Sequence, residues 1–98
     1  MSGGSLRLTE DQITTGLARV PAWTRVGQAI RREFAFADFV AAIAFVNAVA
    51  GAAERADHHP DIDVRYDRVT LTLATHDAGG LTRRDFDLAA TADGLAQG

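Results

Sequence analysis

Ile62-Asp63-Val64-Arg65-Tyr66, a turn at Asp67-Arg68, then Val69-Thr70-Leu71-Thr72-Leu73-Ala74-Thr75: the reading of this run decides the fold. In its second half Val69, Leu71 and Leu73 take one face, and Thr70, Thr72 and Ala74 the other. That period of two marks a strand with one buried side. The first half reads as its partner across a tight turn, so the run is a hairpin. Directly upstream, residues 38–57 predict a long helix. Phe39, Ile43, Val46 and Ala50 form its core-facing stripe, widened by Val40, Phe45 and Val49. A helix so apolar on several sides is expected to be covered by more than one neighbour, and a second copy of the chain is a natural one.

Further toward the N-terminus, residues 23–26 and 29–36 predict a second hairpin, with Gly27-Gln28 as a two-residue turn that places glycine first. Ile30, Phe34 and Phe36 share one side and Arg31 and Glu33 the other; Arg32 breaks the alternation by falling on the apolar side. A first helix begins at Thr9, which stands at capping-box distance from Gln12. Glu10 and Asp11 meet the positive end of its dipole, Leu8 and Ile13 hold the staple positions, and Pro21 stops it. A last helix begins at Thr82, with Asp85 as its third residue and Leu81/Phe86 as a second staple pair. The order αββαββα predicts an α+β fold: a four-stranded antiparallel sheet with three helices packed on one face.

Ninety-eight residues make one domain, expected over residues 6–98 after a flexible N-terminus at 1–5; the last few residues after Asp93 also read as flexible. The composition, 47% hydrophobic and 23% charged, is that of an ordinary soluble protein, and a net charge of -3 gives no reason to expect nucleic-acid or membrane-surface binding. No cysteine is present, which excludes disulfides and thiol chemistry and fits a cytoplasmic location. No signal peptide is visible at the start. Residues 39–53 are mostly apolar, yet the stretch is shorter than the roughly 18 to 20 residues of a membrane span and contains Asn47 and Gly51, so it reads as a core helix.

All three histidines fall close together: His58 and His59 adjacent, His76 seventeen positions on. Histidine is the side chain whose ordinary pKa lies near neutrality, so three of them among carboxylates suggest proton transfer. Glu54 and His58 are spaced to project from one helix face, and Pro60 disfavours helical backbone at His59, so the helix is expected to end on two imidazoles held at a corner. Structural explanations stand beside this. A histidine near a helix C-terminus interacts favourably with the dipole. His76 can be a loop residue, Asp85 a first-turn carboxylate, Tyr66 a strand residue, and Arg83-Arg84 a solvated first turn. Metal binding is disfavoured because the i, i+4 histidine pair of zinc helices is absent. A serine nucleophile is disfavoured because Ser2 and Ser5, the only serines, lie in the flexible N-terminus.

The pattern Glu54-x3-His58-His59-Pro60-x5-Tyr66-x9-His76-x8-Asp85 resembles the pterin-4a-carbinolamine dehydratase family. Trp23, Phe36-x-Asp38-Phe39, Thr75-His76 and Gly80-Leu81-Thr82 extend the likeness over nearly the whole chain. The resemblance implies an enzyme that dehydrates 4a-hydroxytetrahydropterin, the spent product of aromatic amino acid hydroxylases, to the quinonoid dihydropterin. It implies no metal or organic cofactor, a homodimer or homotetramer, and a place in tetrahydrobiopterin recycling, with a hydroxylase as a possible partner in the pathway. Carried over by position, His58, His59 and His76 are the catalytic histidines, with Glu54 and Asp85 as supporting carboxylates; His59, Asp57, Pro60, Thr75 and Asp77 are expected to bind substrate. His58 and His76 are expected to form the acid-base pair, with His59 mainly holding the substrate. Ile62 departs from the pattern, since some members carry an aromatic there. Two alternatives stay open: a non-catalytic interaction module of the transcriptional-coactivator kind, and a pterin-handling enzyme of another pathway.

Overall fold

Thr9 opens the first helix by the exchange its spacing predicts. Its hydroxyl accepts from the Gln12 N–H (3.2 Å) while the Gln12 side chain accepts from the Thr9 N–H (2.9 Å). This computed structural model describes residues 6–97, so the expected flexible segment 1–5 lies outside the described residues. The elements are α1 (Glu10–Arg19), β1 (Thr24–Val26), β2 (Ala29–Ala35), α2 (Phe39–Ala56), β3 (Asp61–Arg65), β4 (Arg68–Leu73) and α3 (Arg83–Gln97). They make the expected α+β fold. Arg25 of β1 ties back to α1 through both oxygens of Glu10 (2.5 and 3.1 Å), and these hydrogen bonds hold the Glu10 carboxyl below the usual carboxylate range.

The sheet is antiparallel throughout, in the order β1-β2-β4-β3. Ile30 pairs with Leu73 and Phe34 with Val69, so the clean alternation of β4 buries Val69, Leu71 and Leu73. Arg32 does sit on that apolar side, and the structure shows what receives it. Its guanidinium lies 4.2 Å from the Phe34 ring centroid and bonds Asp93 of α3 (2.6 Å), which also accepts from the Trp23 indole (2.8 Å).

Both hairpins turn through two residues, and in both the first turn residue has positive φ: Gly27 at 61° and Tyr66 at 53°. The second turn is therefore Tyr66-Asp67, one residue earlier than expected, because Arg65 pairs with Arg68. A left-handed L-residue costs about 1–2 kcal/mol, and Tyr66 is 68% exposed, so little packing offsets that cost. Tyr66→Gly is expected to raise stability by about 0.5–1 kcal/mol after glycine's own entropy cost. An unchanged urea midpoint would show that the ring contributes more than its exposure indicates.

On α2 the inward face differs from the expected stripe. Ala42, Phe45, Val49, Ala52 and Ala53 are buried, whereas Phe39 and Val40 are 49% and 76% exposed, Ile43 and Val46 half-buried, and Ala50 exposed. Small residues face inward because α3 lies against α2 there. Where nearly every residue is apolar, hydrophobicity alone cannot orient the helix. By length and composition α2 would suffice as a membrane span, at 18 residues and mean hydropathy 1.4; its buried side chains nevertheless belong to the one hydrophobic core.

The last residues after Asp93 continue α3 to Gln97 rather than forming a loose tail, because Asp93 is anchored by Trp23 and Arg32 and Leu95 rests against the core. Phe86 of α3 lies flat over Gly16 of α1, so that a Cβ at Gly16 would stand 2.9 Å from three ring atoms. Gly16→Ala gains about 0.8–1.0 kcal/mol of helix propensity. Phe86 is fully buried and cannot step aside, so overpacking of about 1–3 kcal/mol dominates. We expect a net loss near 1 kcal/mol in urea unfolding; a rise would mean the ring can move.

Candidate active site

The corner after α2 is built by its C-terminal turn. Asp57 adopts the left-handed conformation (φ 50°, ψ 45°); its N–H reaches the Glu54 carbonyl (3.2 Å) and the His58 N–H reaches that of Ala53 (3.0 Å). This is the Schellman pattern, in which the residue after the left-handed one folds back toward the helix. Here that residue is His58, and it is buried at 7% exposure. The expected shared face of Glu54 and His58 therefore does not form, because the helix ends at Ala56 before His58. Glu54 instead meets His59, Oε2 to Nε2 at 2.5 Å, in an exposed pair.

Across from the corner, β4 leads into Thr75, whose main chain bridges Gly80 (3.2 and 3.3 Å). The bridge closes a short 3-10 turn at His76–Ala78, with Gly79 at φ 74°. His76 is therefore on an exposed loop turn rather than at the end of the strand, and no side-chain hydrogen bond holds its ring among the described residues.

Behind His58 lies Asp85, with no exposed surface. Its Oδ1 meets His58 Nε2 at 2.5 Å, and its Oδ2 accepts from the Thr75 hydroxyl and from the Thr82 N–H, each at 2.9 Å. The Thr82 hydroxyl bonds the Thr75 hydroxyl (2.9 Å) and accepts from the Arg84 N–H (3.2 Å). Thr75 gives its one proton to Asp85, so Thr82 donates to Thr75, and the chain of donors runs one way toward the carboxylate. Every position at Asp85 is then an accepting one. The network assigns the proton to Nε2 of His58 and leaves Nδ1 as the ring's free site. Asp85 serves at once as the first-turn acceptor that starts α3 and as the partner of a buried imidazole.

Asp57, His58, His59, Thr75, His76 and Asp77 line one cavity of about 250 Å³, together with Ala74 and Arg84. Glu54, Pro60 and Asp85 are not in its wall: Glu54 stands outside behind His59, and Asp85 beneath His58. Tyr66 is at the far end of β3, outside the site. A second groove of about 430 Å³ shares His58 and Arg84 with the first and continues over Ala52, Arg55 and Leu88. Sequence reading takes Thr82 as the start of the last helix and Arg84 as part of a solvated first turn, and assigns neither to the site. Thr82 carried a usable signal as the residue three before a carboxylate at a helix start; Arg84 carried none, because its partners are backbone carbonyls 27 and 28 positions away. No set of three His, Asp or Glu side chains converges as metal ligands among the described residues.

A buried carboxylate thus holds one imidazole while two more line the cavity. A profile of the family described as pterin 4 alpha carbinolamine dehydratase matches residues 6–95, and the chain belongs to that family. Among its relatives, a protein of Acidobacterium capsulatum is 58% identical over 91% of this chain and 97% of its own. One of Nocardia farcinica is 57% identical over 92% and 95%. Both bear the name pterin-4-alpha-carbinolamine dehydratase, given provisionally. Among solved structures, a transcriptional coactivator/pterin dehydratase from Brucella melitensis superposes with a TM-score of 0.89 at 39% identity, covering 92% of this chain and 98% of that one. A pterin dehydratase-like protein identified as a RuBisCO assembly factor in the alpha-carboxysome superposes at 0.66, with 28% identity over 76% and 89%.

Proposed function

We propose that this chain dehydrates 4a-hydroxytetrahydropterin to quinonoid dihydropterin. The C4a–O and N5–H bonds break, the C4a=N5 bond forms, and water leaves. A hydroxyl is a poor leaving group until protonated, so the reaction needs an acid at the 4a-oxygen and a base at N5. The observation that carries the reading is the cavity itself. His58 and His59 come to it from the corner after α2 and His76 from the turn after β4, so imidazoles from two separate segments line one cavity, which supports acid-base work on a ring bound there. His58, its tautomer set by Asp85, and His76 would exchange the two protons. His59, backed by Glu54, would hold the ring with Asp57, Thr75, Asp77 and the neighbouring Pro60. The reaction consumes the product of an aromatic amino acid hydroxylase, so we place the enzyme in tetrahydrobiopterin recycling in the cytoplasm, with no cofactor of its own. The exposed Phe39 and Val40 of α2 support a homodimer or homotetramer.

The test is the dehydration rate of freshly generated 4a-hydroxytetrahydropterin above the buffer rate, wild type beside His58→Ala. Acceleration lost in the variant supports the assignment. No acceleration by folded wild type would overturn it and favour an interaction module, the role that the same exposed face of α2 would then serve.

A further inference from the structure

The Arg84 guanidinium bonds no carboxylate among the described residues; Nη2 donates to the carbonyl of Asp57 and also reaches that of Ala56 (3.4 Å). Ala56 is the last residue of α2 and Asp57 the left-handed residue after it, where carbonyls find no partner within the helix. The same residue's N–H bonds Thr82, the head of the donor chain that ends on Asp85. Arg84 thus joins the backbone that carries His58 and His59 to the network that orients His58, and it borders both the histidine cavity and the adjoining groove.

We infer that Arg84 is a positioning residue for the dehydration, an inference that rests on the dehydratase reading. It fixes the distance between the His58-His59 corner and the first turn of α3. Proton transfer across a narrow cavity is sensitive to that distance, since a misplacement near 1 Å can cost about 100-fold in rate. One nitrogen, Nη2, meets both carbonyls; a lysine ammonium can also donate to two acceptors but stands one bond shorter, so it replaces only part of the bridge. Arg83 beside it is 84% exposed and, among the described residues, paired only with Asp87, so it supplies the control.

The experiment compares Arg84→Ala, Arg84→Lys and Arg83→Ala with wild type in turnover, KM and thermal unfolding, and follows the three imidazoles by NMR through a pH titration. Arg84→Ala is expected to lose about 10- to 100-fold in kcat with little change in KM. Arg84→Lys should recover part of the loss, and Arg83→Ala should match wild type. The His58 and His59 resonances should move in Arg84→Ala while His76 stays. Wild-type kcat in Arg84→Ala overturns the inference, and so does a rise in KM alone, which would mean direct substrate contact. If Arg84→Ala fails to fold, Arg84→Lys decides: full activity with unmoved imidazoles overturns it. Inactive wild type whose His58 and His59 resonances still respond would sink the dehydratase reading and leave the coupling standing.

Discussion

Replacing His58 or His76 by alanine is expected to lower turnover by about 10²–10⁴-fold, with His59→Ala costing distinctly less. The two large losses should differ in their side effects. His58 is buried and its removal strands Asp85 Oδ1, so His58→Ala should also lose stability, by about 1–3 kcal/mol. His76 is exposed and its ring makes no side-chain hydrogen bond among the described residues, so His76→Ala should unfold within about 0.5 kcal/mol of wild type. His76→Ala therefore gives the cleaner reading: a rate loss with an unchanged urea midpoint can come only from chemistry or binding. Equal rate losses at all three histidines would sink the proposed division between proton transfer and substrate holding.

Asp85→Ala is expected to cost about 3–5 kcal/mol, a large part of the 5–15 kcal/mol typical of a domain. It removes the acceptor of three hydrogen bonds at a position with no exposed surface, and water cannot stand in without opening the core. Asp85→Asn separates stability from catalysis. Thr75 and the Thr82 N–H both donate toward Oδ2, so the amide nitrogen must turn toward His58. His58 Nε2 then becomes an acceptor and the proton moves to Nδ1. The variant should stay folded, losing about 1–2 kcal/mol, yet lose rate on the scale of a removed histidine because the imidazole is in the wrong tautomer. Nitrogen-15 shifts of the ring report that tautomer directly. A folded Asp85→Asn with wild-type turnover would show that the tautomer is immaterial.

Local chemistry was readable wherever one residue type has one common use. Thr9 with Gln12, Gly27 at a turn and the Thr/Leu alternation of β4 all led to the elements that formed. The errors came where tertiary packing decides between equal local options. α2 is apolar all round, and the packing of α3 and the sheet against it selects Ala42, Ala52 and Ala53 as part of its inward face. Tyr66 is not a residue expected to take a left-handed turn, so local preference points to a turn one residue later than the one that forms. The histidine cluster was visible as residues, but its wiring was not. The i, i+4 spacing tied Glu54 to His58, whereas the left-handed Asp57 sends His58 inward to Asp85 and leaves Glu54 to His59.

The double duty of Asp85 has an evolutionary consequence. A lineage that abandoned the chemistry could shed His59 and His76 at little cost, since both are exposed. It could not shed Asp85 so freely, because the start of α3 hangs on the same carboxylate. Descendants turned to other work should keep the acid after the histidines have drifted, and a surviving aspartate there would record ancestry rather than activity.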